Sequence, residues 1–235
     1  MIMKHIVSLF DEELEYLEDK IVFMGEFATE MVHRSVEAML NKDIELAKEV
    51  MKKDLVLDNT EREIDDKATT IIAKRQPMAV DLREIIGTIR IASDLERIGD
   101  KGKNIAKRSI TIVKTPQIAE FNASLANFAK VSLNQLEKAM EAYKERSLEK
   151  IQDVITCDKE TDSMYDAMFR SLLTYMMENP RNITACTHLL FCAKNLERVG
   201  DHATNIVESL HYMITGEYLP FEDCQYIDNF TKESI

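Results

Sequence analysis

Helix breakers are scarce in this chain, which holds six glycines and four prolines in 235 residues. Long stretches therefore run without a turn signal, and no strand-period alternation competes with helix. Positive charge is also short. Lys and Arg number 30 against 42 Asp and Glu, a formal net charge of −12, and no basic stripe exists to neutralise nucleic-acid phosphates. Nucleic acid is thus not an expected partner; cations or basic protein surfaces are. No apolar run approaches the roughly 20 residues that cross a bilayer. The opening Met1-Ile2-Met3-Lys4-His5 lacks the apolar core and small-residue cleavage site of a signal peptide. A soluble, cytoplasmic protein without membrane insertion is the expectation. Cys157, Cys186, Cys192 and Cys224 show no metal-ligand spacing and read as reduced thiols serving as small apolar groups.

What is present is said twice. Leu95-Glu96-Arg97-Ile98-Gly99-Asp100 returns 101 residues later as Leu196-Glu197-Arg198-Val199-Gly200-Asp201, and Asn104-Ile105 returns as Asn205-Ile206, so seven of eleven positions are identical. Phe27-Ala28 and Ala38-Met39 recur at the same offset as Phe128-Ala129 and Ala139-Met140. A duplicated helical unit follows, and its repeated charges exceed what core packing requires.

Six helices in two sets of three are predicted. The first runs from about Leu9 to Leu40; Asp43 caps the second, which continues to about Lys74 and breaks at Gln76-Pro77. The third carries the first motif to about Val113, and Thr115-Pro116 ends the half. The second set spans about Phe121 to Tyr143, Ser147 to Glu178, and Asn182 to Met213, with a break at Asn179-Pro180. The expected fold is all-α: two tandem three-helix bundles of long antiparallel helices, with repeats over residues 1–115 and 116–215 and an irregular tail over 216–235. Ile91, Leu95, Ile98, Gly102, Ile105 and Ile112 form one apolar seam, and Cys192, Leu196, Val199, Ala203, Ile206 and Met213 the other.

Glu96 and Asp100 stand four residues apart, which stacks their carboxylates on one helix face at the edge of the seam. Glu197 and Asp201 repeat this, and Asp54/Asp58 and Asp158/Asp162 are matching pairs on the second and fifth helices. Glu61, Asp65 and Asp166 extend the acidic stripe, and Asn104 or Asn205 would add a neutral oxygen. Like charges at this spacing destabilise a helix by a few tenths of a kcal/mol, and by more when partly buried. Two facing pairs call for positive charge between them, and all-oxygen sets suit hard divalent cations or carboxylate-bridged iron. Solvated helix faces explain one such pair more readily than four in corresponding places. Arg97 and Arg198 point away from their neighbouring acids, and Gly99 and Gly200 mark close helix packing or room for a ligand.

With both motif copies and Arg75-Gln76-Pro77-Met78-Ala79-Val80-Asp81-Leu82-Arg83, the chain resembles the PhoU family over about residues 8 to 215. That resemblance implies two three-helix bundles related by a pseudo-two-fold axis. It implies Asp54, Asp58, Glu96 and Asp100 as metal ligands in one half and Asp158, Asp162, Glu197 and Asp201 in the other, for divalent or iron-type ions in mononuclear or multinuclear sites. It further implies a cytoplasmic homodimer, not an enzyme, that works with the ATPase subunit of the phosphate ABC transporter and with a sensor histidine kinase, restraining the phosphate-starvation response when phosphate is plentiful. The family commonly has His-Ala where this chain has Lys101-Gly102; the second copy keeps His202-Ala203. The second site is therefore the stronger metal candidate.

A competing expectation is a di-iron carboxylate enzyme, which uses Glu plus ExxH ligands in a four-helix core. Glu30/His33 and Glu208/His211 fit ExxH, but their counterparts at the 101-residue offset are Val131/Asn134 and Lys107/Ile110. A third is a helical scaffold without metal.

Overall fold

A computed structural model of the chain describes residues 2–113 and 119–219. The break expected at Thr115-Pro116, Cys224 and the tail beyond residue 219 lie outside the described residues. Six long helices are present: α1 (Ile2–Asn41), α2 (Ile44–Arg75), α3 (Val80–Ile112), α4 (Asn122–Glu145), α5 (Leu148–Glu178) and α6 (Ile183–Thr215). No strand occurs among the described residues. α1 starts at Ile2, ahead of the apolar periodicity that begins near Leu9, because the intervening segment holds no glycine or proline to stop it.

Local chemistry accounts for the other boundaries. The Asp43 carboxylate accepts from the Leu46 N–H at 2.9 Å, and the Ser147 hydroxyl accepts from the Lys150 N–H at 3.3 Å, each satisfying a free amide of the first turn. α2 closes on Gln76 in the left-handed region at φ 50°, whose N–H bonds Ile72 O at 3.1 Å. Pro77 cannot continue the ladder. Asn179 caps a short 3-10 turn over Pro180–Asn182. α6 ends at Gly216, whose φ of 80° carries no Cβ penalty.

α1, α2 and α3 pack on one another, as do α4, α5 and α6, and the two threesomes join through α3 against α6 and α1 against α4. The two motif helices therefore lie side by side at the centre. Every predicted seam residue is buried on α3 and α6, each aliphatic side chain contributing about 1.5–3 kcal/mol of transfer free energy. The glycines explain themselves by close approach. A Cβ on Gly102 would lie 3.2 Å from backbone atoms of Met31 and Val32 on α1; one on Gly200 would lie 2.7 Å from Gln135 Oε1; one on Gly99 would strike the end of Leu57. No helix among the described residues is long and apolar enough to cross a membrane.

Candidate functional site

The 3.6-residue period carries Glu96 and Asp100 to the edge of the buried stripe of α3, facing Asp54, Asp58 and Glu61 of α2. Glu96 is half-buried and its carboxyl is pushed up to about 7, by desolvation first and then by Asp100, Glu61, Asp58 and Asp54. Burial also raises Glu61, against a hydrogen bond from Ser93. Asp54 is 3% exposed and raised by burial, opposed by Lys103. The Lys103 ammonium donates to Asp54 and lies 3.4 Å from Asp100 Oδ1, so the two acidic helices meet across a lysine.

The second half is arranged differently. Asp162 of α5 and Glu197 and Asp201 of α6 each bring a ligand oxygen within 4.8 Å of the others, and no other such group of three occurs among the described residues. A cavity of about 780 Å³, lined by Asp158, Asp162, Asp166, Tyr165 and Glu197, opens beside them. Glu197 is 9% exposed; its Oε1 takes the ammonium of Lys194, and its Oε2 is buried without a hydrogen-bond partner. An orphaned buried oxygen costs about 1–3 kcal/mol. Asp201 is pushed up to about 6 by burial, then by Glu197 and Asp158, with Lys194 opposing. Asp162 is raised by burial, Asp158 and Glu197. Three acids with converging oxygens, one of them also carrying an orphaned oxygen and two with disfavoured charged forms, suit a hard cation.

Asp158 stands beside this trio, its Oδ1 accepting from Gln135 Nε2 at 3.0 Å. Gln135 is fully buried; the same Nε2 lies 3.3 Å from Gly200 O and 3.2 Å from Thr204 Oγ1, while its Oε1 accepts from Thr161 at 2.9 Å. Sequence reasoning misses this residue, although a glutamine among Phe128, Ser132 and Ala139 on a buried face is a visible signal.

Two expectations need correction. His202 turns its Nδ1 to Asp94 of α3 at 2.9 Å, and Asn205 donates to the same oxygen at 3.3 Å. Both side chains serve the contact between halves, so Asn205 adds no oxygen to the acidic site. The lysine that lies among the acids of the first half is Lys103, whose counterpart in the second is Thr204. The offset comparison holds that signal too, because Lys103 follows Asp100 by three residues and shares its face. Neither ExxH pair assembles a ligand set among the described residues. Glu30 is bonded by Lys53 and Arg34, Glu208 is exposed, and His211 faces the Glu217 carbonyl.

The raised Glu96 carboxyl links folding stability to pH. Its folded-state value near 7 exceeds the ordinary 4.5, so the folded chain holds a proton that the unfolded chain releases. Stability is therefore lost as pH rises from about 4.5 to 7. Glu96→Gln removes that loss. In chelator, urea unfolding at pH 8 is expected to show the variant more stable by about 1 kcal/mol, a figure discounted for the group's partial exposure. The gain should close near pH 4.5; an equal gain at both pH values contradicts the assignment.

Comparison with known proteins follows the same two-fold plan. The PhoU domain family matches residues 21–109 and again 125–210. The chain is 54% identical over 212 residues to the phosphate-specific transport system accessory protein PhoU homolog of Rhizobium meliloti, covering 90% of each chain. It is 43% identical over 216 residues to the homolog from Caulobacter vibrioides, covering 92% of this chain and 94% of that one. Among solved structures, PhoU from Pseudomonas aeruginosa superposes with a TM-score of 0.84 at 33% identity, over 88% of this chain and 100% of that one. The phosphate transport system regulatory protein PhoU from Streptococcus pneumoniae gives 0.83 at 30% identity, over 90% and 100%.

Proposed function

The chain belongs to the PhoU family, and from that premise we propose that it is a non-enzymatic accessory protein that regulates phosphate uptake and phosphate-starvation signalling. The observation that carries the reading is the family match in both repeats, joined to relatives named as accessory proteins of phosphate-specific transport. In this reading the chain works in the cytoplasm as a homodimer. It engages the ATPase subunit of the phosphate ABC transporter and a sensor histidine kinase, and it restrains the response when phosphate is plentiful.

Asp162, Glu197 and Asp201 would hold a divalent or iron-type cation, with Asp158 beside them. Such a cation would supply positive charge between α5 and α6, offsetting the repulsion of the acids and offering an electrophilic face to an anionic ligand. The protein's own part is positional. α6 rigidly spaces Glu197 and Asp201 one turn apart, α5 brings Asp162 against them, and Gln135 holds Asp158 by a neutral amide.

The test is made in cells. Deleting the gene is expected to raise phosphate uptake and a starvation-response reporter in phosphate-rich medium, and the chain expressed in trans should restore restraint. Uptake and reporter levels that do not change on deletion would sink the regulatory reading.

A further inference from the structure

We propose that Lys103 is a tethered counter-ion that closes the acidic site of the first repeat, so that the chain takes up metal at the second-repeat site alone. The inference rests on the metal-binding part of the proposed function and narrows it. Asp54 and Asp100 belong to different helices, and a metal binding the first repeat would have to draw them together. The Lys103 ammonium already does so, donating to Asp54 and lying 3.4 Å from Asp100. Asp54 is the deepest of the acids at 3% exposure. Removing the partner of a buried carboxylate is strongly unfavourable, so an incoming ion must first displace a lysine that the chain itself holds in place.

The second repeat lacks this device. Thr204 stands at the position of Lys103, and the half-buried Asp158 is bonded by the uncharged Gln135 amide. Lys194 is no equivalent. It bonds Glu197 from its own helix, lies over the Tyr165 ring at 5.0 Å, and leaves Glu197 Oε2 buried and unpartnered. The difference shows in the geometry: three ligand oxygens converge at Asp162, Glu197 and Asp201, whereas no group of three converges in the first repeat among the described residues. The acids of the first repeat thus do not fit a metal while Lys103 is present, although the spacing Asp54/Asp58 and Glu96/Asp100 matches that of the second.

Manganese titration of the full chain, read by the free Mn²⁺ signal in electron paramagnetic resonance, tests this. The background is Glu197→Gln with Asp201→Asn, in which any bound manganese must lie elsewhere. With Lys103 intact, that background is expected to bind little; adding Lys103→Thr should raise affinity at least about tenfold, which is about 1.4 kcal/mol. The gain should disappear when Asp54→Asn and Asp100→Asn are added. Lys103→Gln, which still donates a neutral hydrogen bond to Asp54, is the second variant should the threonine form fold poorly, and the same gain is expected. No gain in folded variants overturns the inference, as does manganese lost from the wild type on Asp54→Asn with Asp100→Asn. Failure of the metal reading itself looks different: wild-type binding would be absent, or unmoved by Glu197→Gln and Asp201→Asn, while the Lys103 variants still decide the present inference.

Discussion

Glu197→Gln combined with Asp201→Asn is expected to weaken manganese binding to the purified wild-type chain by at least about 100-fold, or about 2.7 kcal/mol. The size follows from what is removed. Glu197 and Asp201 are two of the three acids whose oxygens converge, and Glu197 also holds a buried oxygen without a partner. The amide forms keep size and shape, so helix packing should survive, and far-UV circular dichroism checks that it does. The same substitutions should move stability the other way. Burial and neighbouring acids hold Asp201 up to about 6. At neutral pH in chelator the wild type therefore carries a repulsion that the variant lacks, and the variant's thermal midpoint should equal or exceed that of the wild type. With manganese the order should reverse, because only the wild type gains from binding to the folded state. A variant that binds as tightly as the wild type would refute the site.

Within the same motif, Leu95→Ala and Leu196→Ala should each cost about 2–5 kcal/mol in urea unfolding. Both side chains are fully buried, on the two helices through which the halves meet. Truncation removes apolar area and leaves a cavity that rigid helix backbones fill poorly. A loss of this size is a large part of a typical stability of about 5–15 kcal/mol. Arg97→Ala and Arg198→Ala, two positions along and exposed, should stay within about 0.5 kcal/mol. Leucine variants that lose less than about 1 kcal/mol would mean that the motif helices do not form the core.

The contrast between those neighbours is legible in the sequence, because helical period alone separates Leu95 from Arg97. So are the breaks. Asp43, Ser147 and Gln76-Pro77 act within a turn of themselves, and α2 and α5 begin and end where that chemistry places them. Period also puts Glu96 at the edge of the stripe, where partial desolvation is expected, and its carboxyl is the one pushed up to about 7. Less legible is the choice of partner made by each long side chain. Lys101 departs from His202 at the matching position, yet the lysine among the acids is Lys103. His202 follows the motif Asp directly and instead meets Asp94 across the two halves. Gln135 lies far along the chain from Asp158 and Gly200 and joins them only because α4 packs against α5 and α6.

By itself the sequence determined the all-α class, the duplication, the seam of each motif helix and the face on which the acids stand. All of these depend on spacings of three, four or seven residues, or on one copy repeated at an offset of 101. The tertiary structure decided which cation or amide meets which carboxylate, through pairs separated by 49 residues for Lys103 with Asp54, 23 for Gln135 with Asp158 and 108 for His202 with Asp94. Periodicity states the direction in which a side chain leaves its helix. What it meets there depends on how α2 lies against α3, α4 against α5 and α6, and α3 against α6, and that packing makes one repeat a lysine-bridged pair and the other three converging oxygens.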